Sequence, residues 1–192
     1  MIDTLADINW RLFAIVTLNG LTLASLYFIV ASGFSLIFGL MRVVNMAHGS
    51  LYLLGAYVGF EVSEATGSWI LGILAAGVVV AAAGAALQVS ILSWMQGQDL
   101  RQALATIGVS IVAADLMLAQ WGGSAYQIAL PEAVSTFVPV PVAGRYAMAR
   151  LMLIGFALVI GVALWLILNR TRIGMLIRAG VDDRRMLEAM GV

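Results

Sequence analysis

Few side chains in this sequence have the chemistry to act on a solute, and most of them stand inside apolar stretches. Asn45 and His48 lie three apart in Val44-Asn45-Met46-Ala47-His48-Gly49-Ser50, which puts them on one face of any helix that they share. Gly49 beside them lets the backbone relax. Polar groups at membrane depth are costly and usually face a protein interior or a water-filled cavity. Two readings follow. Asn45, His48 and Gly49 line or gate a path, or they cap a broken helix by hydrogen-bonding its freed backbone groups. His48 is the only histidine of the chain and has no adjacent carboxylate, which speaks against a metal or acid–base role. Ser50 and His48, two apart on a helix, point away from each other, and no third group is placed to orient a nucleophile.

Asp115 is the one carboxylate within a candidate span, with Thr106 and Ser110 earlier on the same helix. It supplies either a cation or proton step along a path or an interhelical hydrogen bond near the outer interface. Gly55 and Gly59 form a GxxxG pair in an apolar run, suited to close helix packing. Tyr57 and Trp121 sit near span ends, as interfacial aromatics do.

The surroundings of these residues are apolar: 62% of the 192 residues are hydrophobic, 10% are charged, and the mean hydropathy is +1.03. A soluble domain has about 25% charged residues. Lipid is therefore the main solvent. Cysteine is absent, so disulfides, thiol nucleophiles and cysteine-ligated metals drop out. All ten basic residues are Arg. A Walker A loop needs a Lys to reach the nucleotide phosphates, so any ATP that drives this protein is hydrolysed by a partner subunit. No metal, no cofactor of its own and no nucleic acid are expected. Asp3 and Asp7 precede the first apolar run, with no basic n-region and no obvious cleavage site, so no removable signal peptide is expected.

Those apolar runs predict an all-α, polytopic transmembrane helical bundle with about five spans, near 12–41, 43–60, 68–95, 102–121 and 151–168; a helix of about 20 residues crosses a bilayer core. The second is read as a helix or a partly broken one. Between 122 and 149 a Gly pair and Pro131, Pro139 and Pro141 argue for a structured external loop. Residues 1–168 thus form a transmembrane domain. Residues 169–192 carry Arg170, Arg172, Arg178, Arg184 and Arg185, with Ile173 and Ile177 four apart, an amphipathic pattern suited to a membrane surface or a partner groove. The positive-inside rule puts that segment in the cytoplasm. Counting back through five spans places the N-terminus outside, with seven Arg inside (Arg42, Arg101, Arg170, Arg172, Arg178, Arg184, Arg185) and three outside (Arg11, Arg145, Arg150).

Several stretches carry a family resemblance. Asn19-Gly20 followed by Tyr27, the run from Phe38 to Gly49 with its Asn45-x-Ala47-His48-Gly49 element, and Gly55-Ala56-Tyr57 closely resemble the LivH-type permeases of branched-chain amino acid ABC transporters and their urea and short-amide relatives. Thr106 to Ser110, Trp121-Gly122, and Arg170-Thr171-Arg172-x-Gly174 with Arg178-Ala179 extend it over nearly the whole chain. The resemblance implies a passive permease subunit of an ATP-driven importer of hydrophobic amino acids in the bacterial inner membrane. Its implied partners are a second, LivM-type permease, two ATP-binding cassette subunits and a soluble substrate-binding protein. It also places Arg172, Gly174, Arg178, Ala179, Asp182 and Asp183 in a cytoplasmic segment that couples the permease to the ATPase.

Two departures stand out. Family members continue past this segment into further transmembrane helices, so the chain is expected to be truncated, and Asp115 stands where a neutral residue is expected. A urea or short-amide permease is the near alternative. An ion-coupled carrier working through Asp115 and His48 is the distant one. An intramembrane enzyme is disfavoured, because no nucleophile, base and orienter assemble.

Overall fold

The structure is a computed structural model and describes residues 9–41, 43–127, 131–171 and 174–175. The helices are α1 (Trp10–Met41), α2 (His48–Thr66), α3 (Trp69–Ser90), α4 (Asp99–Trp121), α5 (Glu132–Ser135) and α6 (Met148–Arg170); a 3-10 helix, Leu92–Met95, precedes α4, and strands β1 (Phe137–Val140) and β2 (Gly144–Ala147) precede α6. In lipid every backbone polar group needs an internal partner. Runs as apolar as α3 meet that demand by closing their hydrogen bonds within the helix. Among the described residues four helices, α1, α3, α4 and α6, are long and apolar enough to cross a membrane. At 19 residues α2 measures about 28 Å, and exposed Glu61 and Glu64 lie in its C-terminal part.

The chain divides into two compact units, Leu36–Pro131 and Met1–Ser35 with Glu132–Val192. In the first, α2 and α3 form a helical hairpin. The second expected span ends at its glutamates, yet α2 continues through them to Thr66 and stops where Gly67 turns left-handed (φ 66°). Charges end a membrane run but not a helix. The two helices meet backbone to backbone: a Cβ on Gly72 would strike Ser63 Oγ and lie 2.6 Å from the Gly59 carbonyl oxygen, and one on Gly55 would lie 3.0 Å from Val80 Cγ2. Both glycines of the GxxxG pair therefore lie at this contact. The third expected span is interrupted after Ser90, and Leu92–Met95 continues as a 3-10 helix. Val43, Ala47, Leu87 and Leu92 form the buried apolar cluster, with Ile37, Leu51, Ile91 and Val109 packed on it.

In the other unit, β1 and β2 pair antiparallel, Phe137 opposite Ala147 and Val140 opposite Gly144. The expected external loop thus contains a β-hairpin leading directly into α6. Tyr146 is buried. Its hydroxyl donates to Asn19 Oδ1 (3.1 Å) and lies 2.9 Å from Thr22 Oγ1 on α1. Arg150 NH1 donates to the same Asn19 oxygen (2.7 Å). Phe28 of α1 covers Gly161 of α6, where an added Cβ would lie 3.3 Å from the ring.

Burial in the described residues inverts the soluble pattern. Large apolar side chains such as Phe13, Leu74, Val78, Leu116 and Val159 are exposed, whereas Ser25, Asn45, Ser50, Ser63, Gln102 and Thr106 are buried. Lipid tails solvate the first set and cannot satisfy the second.

Candidate functional site

Four of the six buried polar residues among those described, Asn45, Ser50, Gln102 and Thr106, converge on the interruption between α1 and α2. Helix α1 ends at Met41 and α2 begins at His48. Val43 to Asn45 are not helical, and Met46 and Ala47 form a turn. Val43, Asn45 and Ala47 are buried, so the freed backbone donors need partners inside the protein.

Helix α4 supplies two of them. The Val44 N–H donates to Gln102 Oε1 (3.1 Å), and the Met46 N–H donates to Thr106 Oγ1 (2.9 Å). The third donor is satisfied locally: the Ala47 N–H bonds to Asn45 Oδ1 (3.0 Å), the side-chain turn that Asn makes readily. Gln102 uses its other end as well, Nε2 donating to the Met95 carbonyl (2.9 Å). It thereby ties the break, the 3-10 helix and α4 together. Thr106 Oγ1 lies 2.7 Å from the Gln102 carbonyl and 3.4 Å from that of Val44. Ser50 Oγ donates to the Ala47 carbonyl (2.9 Å) and is 3.2 Å from Ser110 Oγ on α4. Gln102 is 1% exposed and Thr106 is fully buried at 0%, so these bonds are shielded from both water and lipid.

A second contact ties α2 to α4 nearer their far ends. Tyr57 stacks on Trp121, with centroids 4.8 Å apart and planes 9° apart, and Tyr126 meets Tyr57 edge-on at 6.0 Å and Phe60 at 4.7 Å. The Tyr126 hydroxyl donates to the Trp121 carbonyl. Tyr57 and Trp121 thus pack against each other; Trp121 ends α4, whereas Tyr57 lies in the middle of α2 rather than near its end.

The residues singled out in the sequence are placed unequally. Asn45 is buried in the break and caps it. His48 is the first residue of α2 and half-buried, and Gly49 is exposed. Because Asn45 precedes α2, the helical face expected to join it to His48 does not exist. Asp115 is exposed. It follows Thr106 by nine residues, about two and a half turns, so it lies on the face of α4 opposite the one that holds the break. Arg172, Arg178, Ala179, Asp182 and Asp183 lie outside the described residues, as does Arg42; Gly174 is described and buried. Gln102 escaped the sequence reading. Its signal is the spacing Gln102, Thr106, Ser110, one polar stripe at every fourth position of α4.

Long apolar helices, with a buried polar network at an interrupted segment inside the protein, define a polytopic helical membrane protein. The profile of the family described as branched-chain amino acid transport system / permease component matches residues 16–192, and the chain belongs to that family. Among curated proteins it is similar to the high-affinity branched-chain amino acid transport system permease protein BraD of Pseudomonas aeruginosa, 24% identical over 91% of this chain and 61% of the relative. It is also similar to the proteins named LivH of Salmonella typhimurium (25%) and Escherichia coli (26%), each over 91% of this chain and 60% of the relative. The chain therefore spans about three-fifths of the length of these relatives. No solved structure matches it.

Proposed function

We propose that this chain is a transmembrane permease subunit of an ATP-binding cassette importer for branched-chain amino acids, seated in the bacterial plasma membrane with its N-terminus outside. The observation that carries this reading is the family match over residues 16–192, which includes both the break and the helix that holds it. The chain forms part of the translocation path. Two ATP-binding cassette subunits hydrolyse the ATP, a second permease completes the membrane unit, and a soluble binding protein delivers the substrate. The relatives' names support branched-chain amino acids over urea or short amides.

An ABC permease needs no catalytic group of its own. It needs two helix packings whose balance the ATPase shifts. The seated break suits that role, because side-chain bonds to α4 replace the helical bonds lost between α1 and α2. In this reading Asn45, His48 and Gly49 border the path at the break, and the segment from Arg172 onward, with Arg178, Ala179, Asp182 and Asp183, meets the ATPase. An ion-coupled carrier gains no support from Asp115, which faces away from the break.

The test is purification from native membranes in mild detergent, followed by reconstitution of whatever copurifies. Recovery of a Walker-A-containing ATPase and a second permease, with leucine uptake that requires ATP, is the expected result. Uptake that survives ATP depletion and collapses with the proton gradient would replace this reading with the carrier.

A further inference from the structure

Where α6 begins beside α1, one amide gathers two donors. Asn19 Oδ1 accepts both the Tyr146 hydroxyl (3.1 Å) and Arg150 NH1 (2.7 Å). A guanidinium can only donate, so the orientation of the Asn19 amide is fixed: its oxygen faces Arg150 and Tyr146, and its Nδ2 faces the other way, toward a further acceptor. Arg150 uses one of its five N–H groups on this bond. Its guanidinium also lies 5.8 Å from the centroid of the Tyr146 ring, within cation–π reach, so ring and amide together hold the charge in place. Asn19 and Arg150 are both exposed, and no acidic residue occurs in α1, β1, β2 or α6. The pair therefore presents donors and one positive charge, which is what an oxyanion requires.

The depth of this pair in the membrane says which oxyanion it meets. Arg150 stands in the first turn of α6 and Arg170 is its last residue; they are about 30 Å apart along the axis, the thickness of a bilayer core. Arg170 likewise lies 5.8 Å from an aromatic centroid, that of Trp165, so α6 carries an Arg on an aromatic ring at each end, where interfacial anchors stand. Helix α1 agrees. It is longer than a span requires, but from Asn19 to its end at Met41 it measures about 33 Å. The Asn19–Arg150 pair thus lies at one edge of the hydrocarbon, at the level of the phospholipid phosphates. From there toward the bilayer centre, exposed Leu23 and Leu26 continue the face of α1 that carries Asn19.

We propose that Asn19 and Arg150 bind the phosphate of an anionic phospholipid, such as phosphatidylglycerol, whose acyl chain lies along Leu23 and Leu26. The planar, weakly hydrated fork of an arginine matches phosphate oxygens. Its bond to Asn19 holds the fork in place before the lipid arrives, so less freedom is lost on binding. A zwitterionic lipid offers the same phosphate but brings its own cation, which Arg150 repels. Preference for a net negative headgroup follows. The site needs only the membrane placement of α1 and α6 and does not depend on what the chain transports.

The chain has no cysteine, so a fluorophore on a single Leu23→Cys reports from this stripe, in the full chain reconstituted into vesicles with its copurifying partners. Its quenching by bromine-labelled phosphatidylglycerol, set against bromine-labelled phosphatidylcholine at equal membrane fraction, measures the preference. A ratio of about fivefold is expected for one arginine at the membrane surface. Arg150→Gln should bring it close to one. So should Asn19→Asp, which keeps an acceptor for Tyr146 and Arg150 but neutralises the arginine from within and removes Nδ2; its melting midpoint should match or exceed the parent's, which separates loss of lipid from loss of fold. Arg145→Gln, at an exposed arginine of β2, should leave the ratio unchanged. Equal quenching by the two lipids in the labelled parent, or a preference that survives Asn19→Asp, would overturn the site. A preference lost equally in Arg145→Gln would overturn it in favour of general surface charge. Inorganic phosphate or leucine at millimolar concentration should not displace the quencher; displacement by either would put a soluble oxyanion in the lipid's place and overturn the lipid assignment. If Arg150→Gln does not yield folded protein, Asn19→Asp decides.

Discussion

The side-chain amide of Gln102 spans two backbones, its Oε1 accepting the Val44 N–H at 3.1 Å and its Nε2 donating to the Met95 carbonyl at 2.9 Å. Gln102→Leu keeps much of the volume and removes both bonds. Each buried backbone group left unpaired costs about 1–3 kcal/mol. The variant should therefore unfold well below the parent in a detergent melt, whereas Leu104→Ala, at an exposed position on the same helix, should change little. Equal midpoints for Gln102→Leu and the parent would mean that the break is not held by α4.

Close packing of α2 on α3 gives a second prediction. A methyl group on Gly72 meets Ser63 Oγ and the Gly59 carbonyl oxygen, whereas one on Gly77 meets nothing within 4 Å. Gly72→Ala should force the helices apart and cost about 1–3 kcal/mol, as overpacking does. Gly77→Ala should be neutral or slightly stabilising, since Ala is the better helix former. Thermal denaturation of the two variants side by side checks this, and a Gly77→Ala variant as damaged as Gly72→Ala would relocate the helix contact.

These two sites show how much the sequence made legible. The long spans and the GxxxG contact could be read from local apolar runs and spacing, because both are properties of a single helix. The break was visible only as a polar cluster. Val43 and Val44 continue the apolar character of their surroundings, so periodicity gave no reason to take them out of α2. What holds them out is Gln102 and Thr106, 58 and 60 residues away from their bonding partners. Such tertiary partners leave no local trace. Gln102 itself was overlooked because one Gln at the start of a span reads as an interfacial residue until Thr106 and Ser110 are seen to continue its line. The hairpin was likewise hidden, since three prolines mark a loop without saying which stretches pair.

That hairpin is held to α1 through Tyr146, whose hydroxyl bonds to Asn19 and lies beside Thr22. Tyr146→Phe keeps the ring and removes the bonds, at a cost of about 1 kcal/mol. Because the only basic residues are Arg and Arg145 is exposed next to Tyr146, trypsin reports on the docking directly. Cleavage after Arg145 should be about fivefold faster in the variant if it proceeds through local opening. An unchanged rate would show that packing of the ring, rather than its hydroxyl, secures the hairpin.

Asp115 separates the importer from the ion-coupled carrier. A carboxylate that relays protons or cations needs a place on the path, but Asp115 is exposed on the side of α4 away from Gln102 and Thr106. It stands six residues before the end of α4 at Trp121, about 9 Å along the axis, where a charge near the interface is tolerated at smaller cost than at the bilayer centre. Asp115→Asn should therefore leave both the melting midpoint and ATP-dependent leucine uptake within about twofold of the parent, as substitutions outside a packed or paired site generally do. The comparison is best made in proteoliposomes, with and without an imposed proton gradient. Loss of uptake at unchanged stability, removed only when the carboxylate returns, would place a charge-transfer step at Asp115 and shift the weight to the carrier.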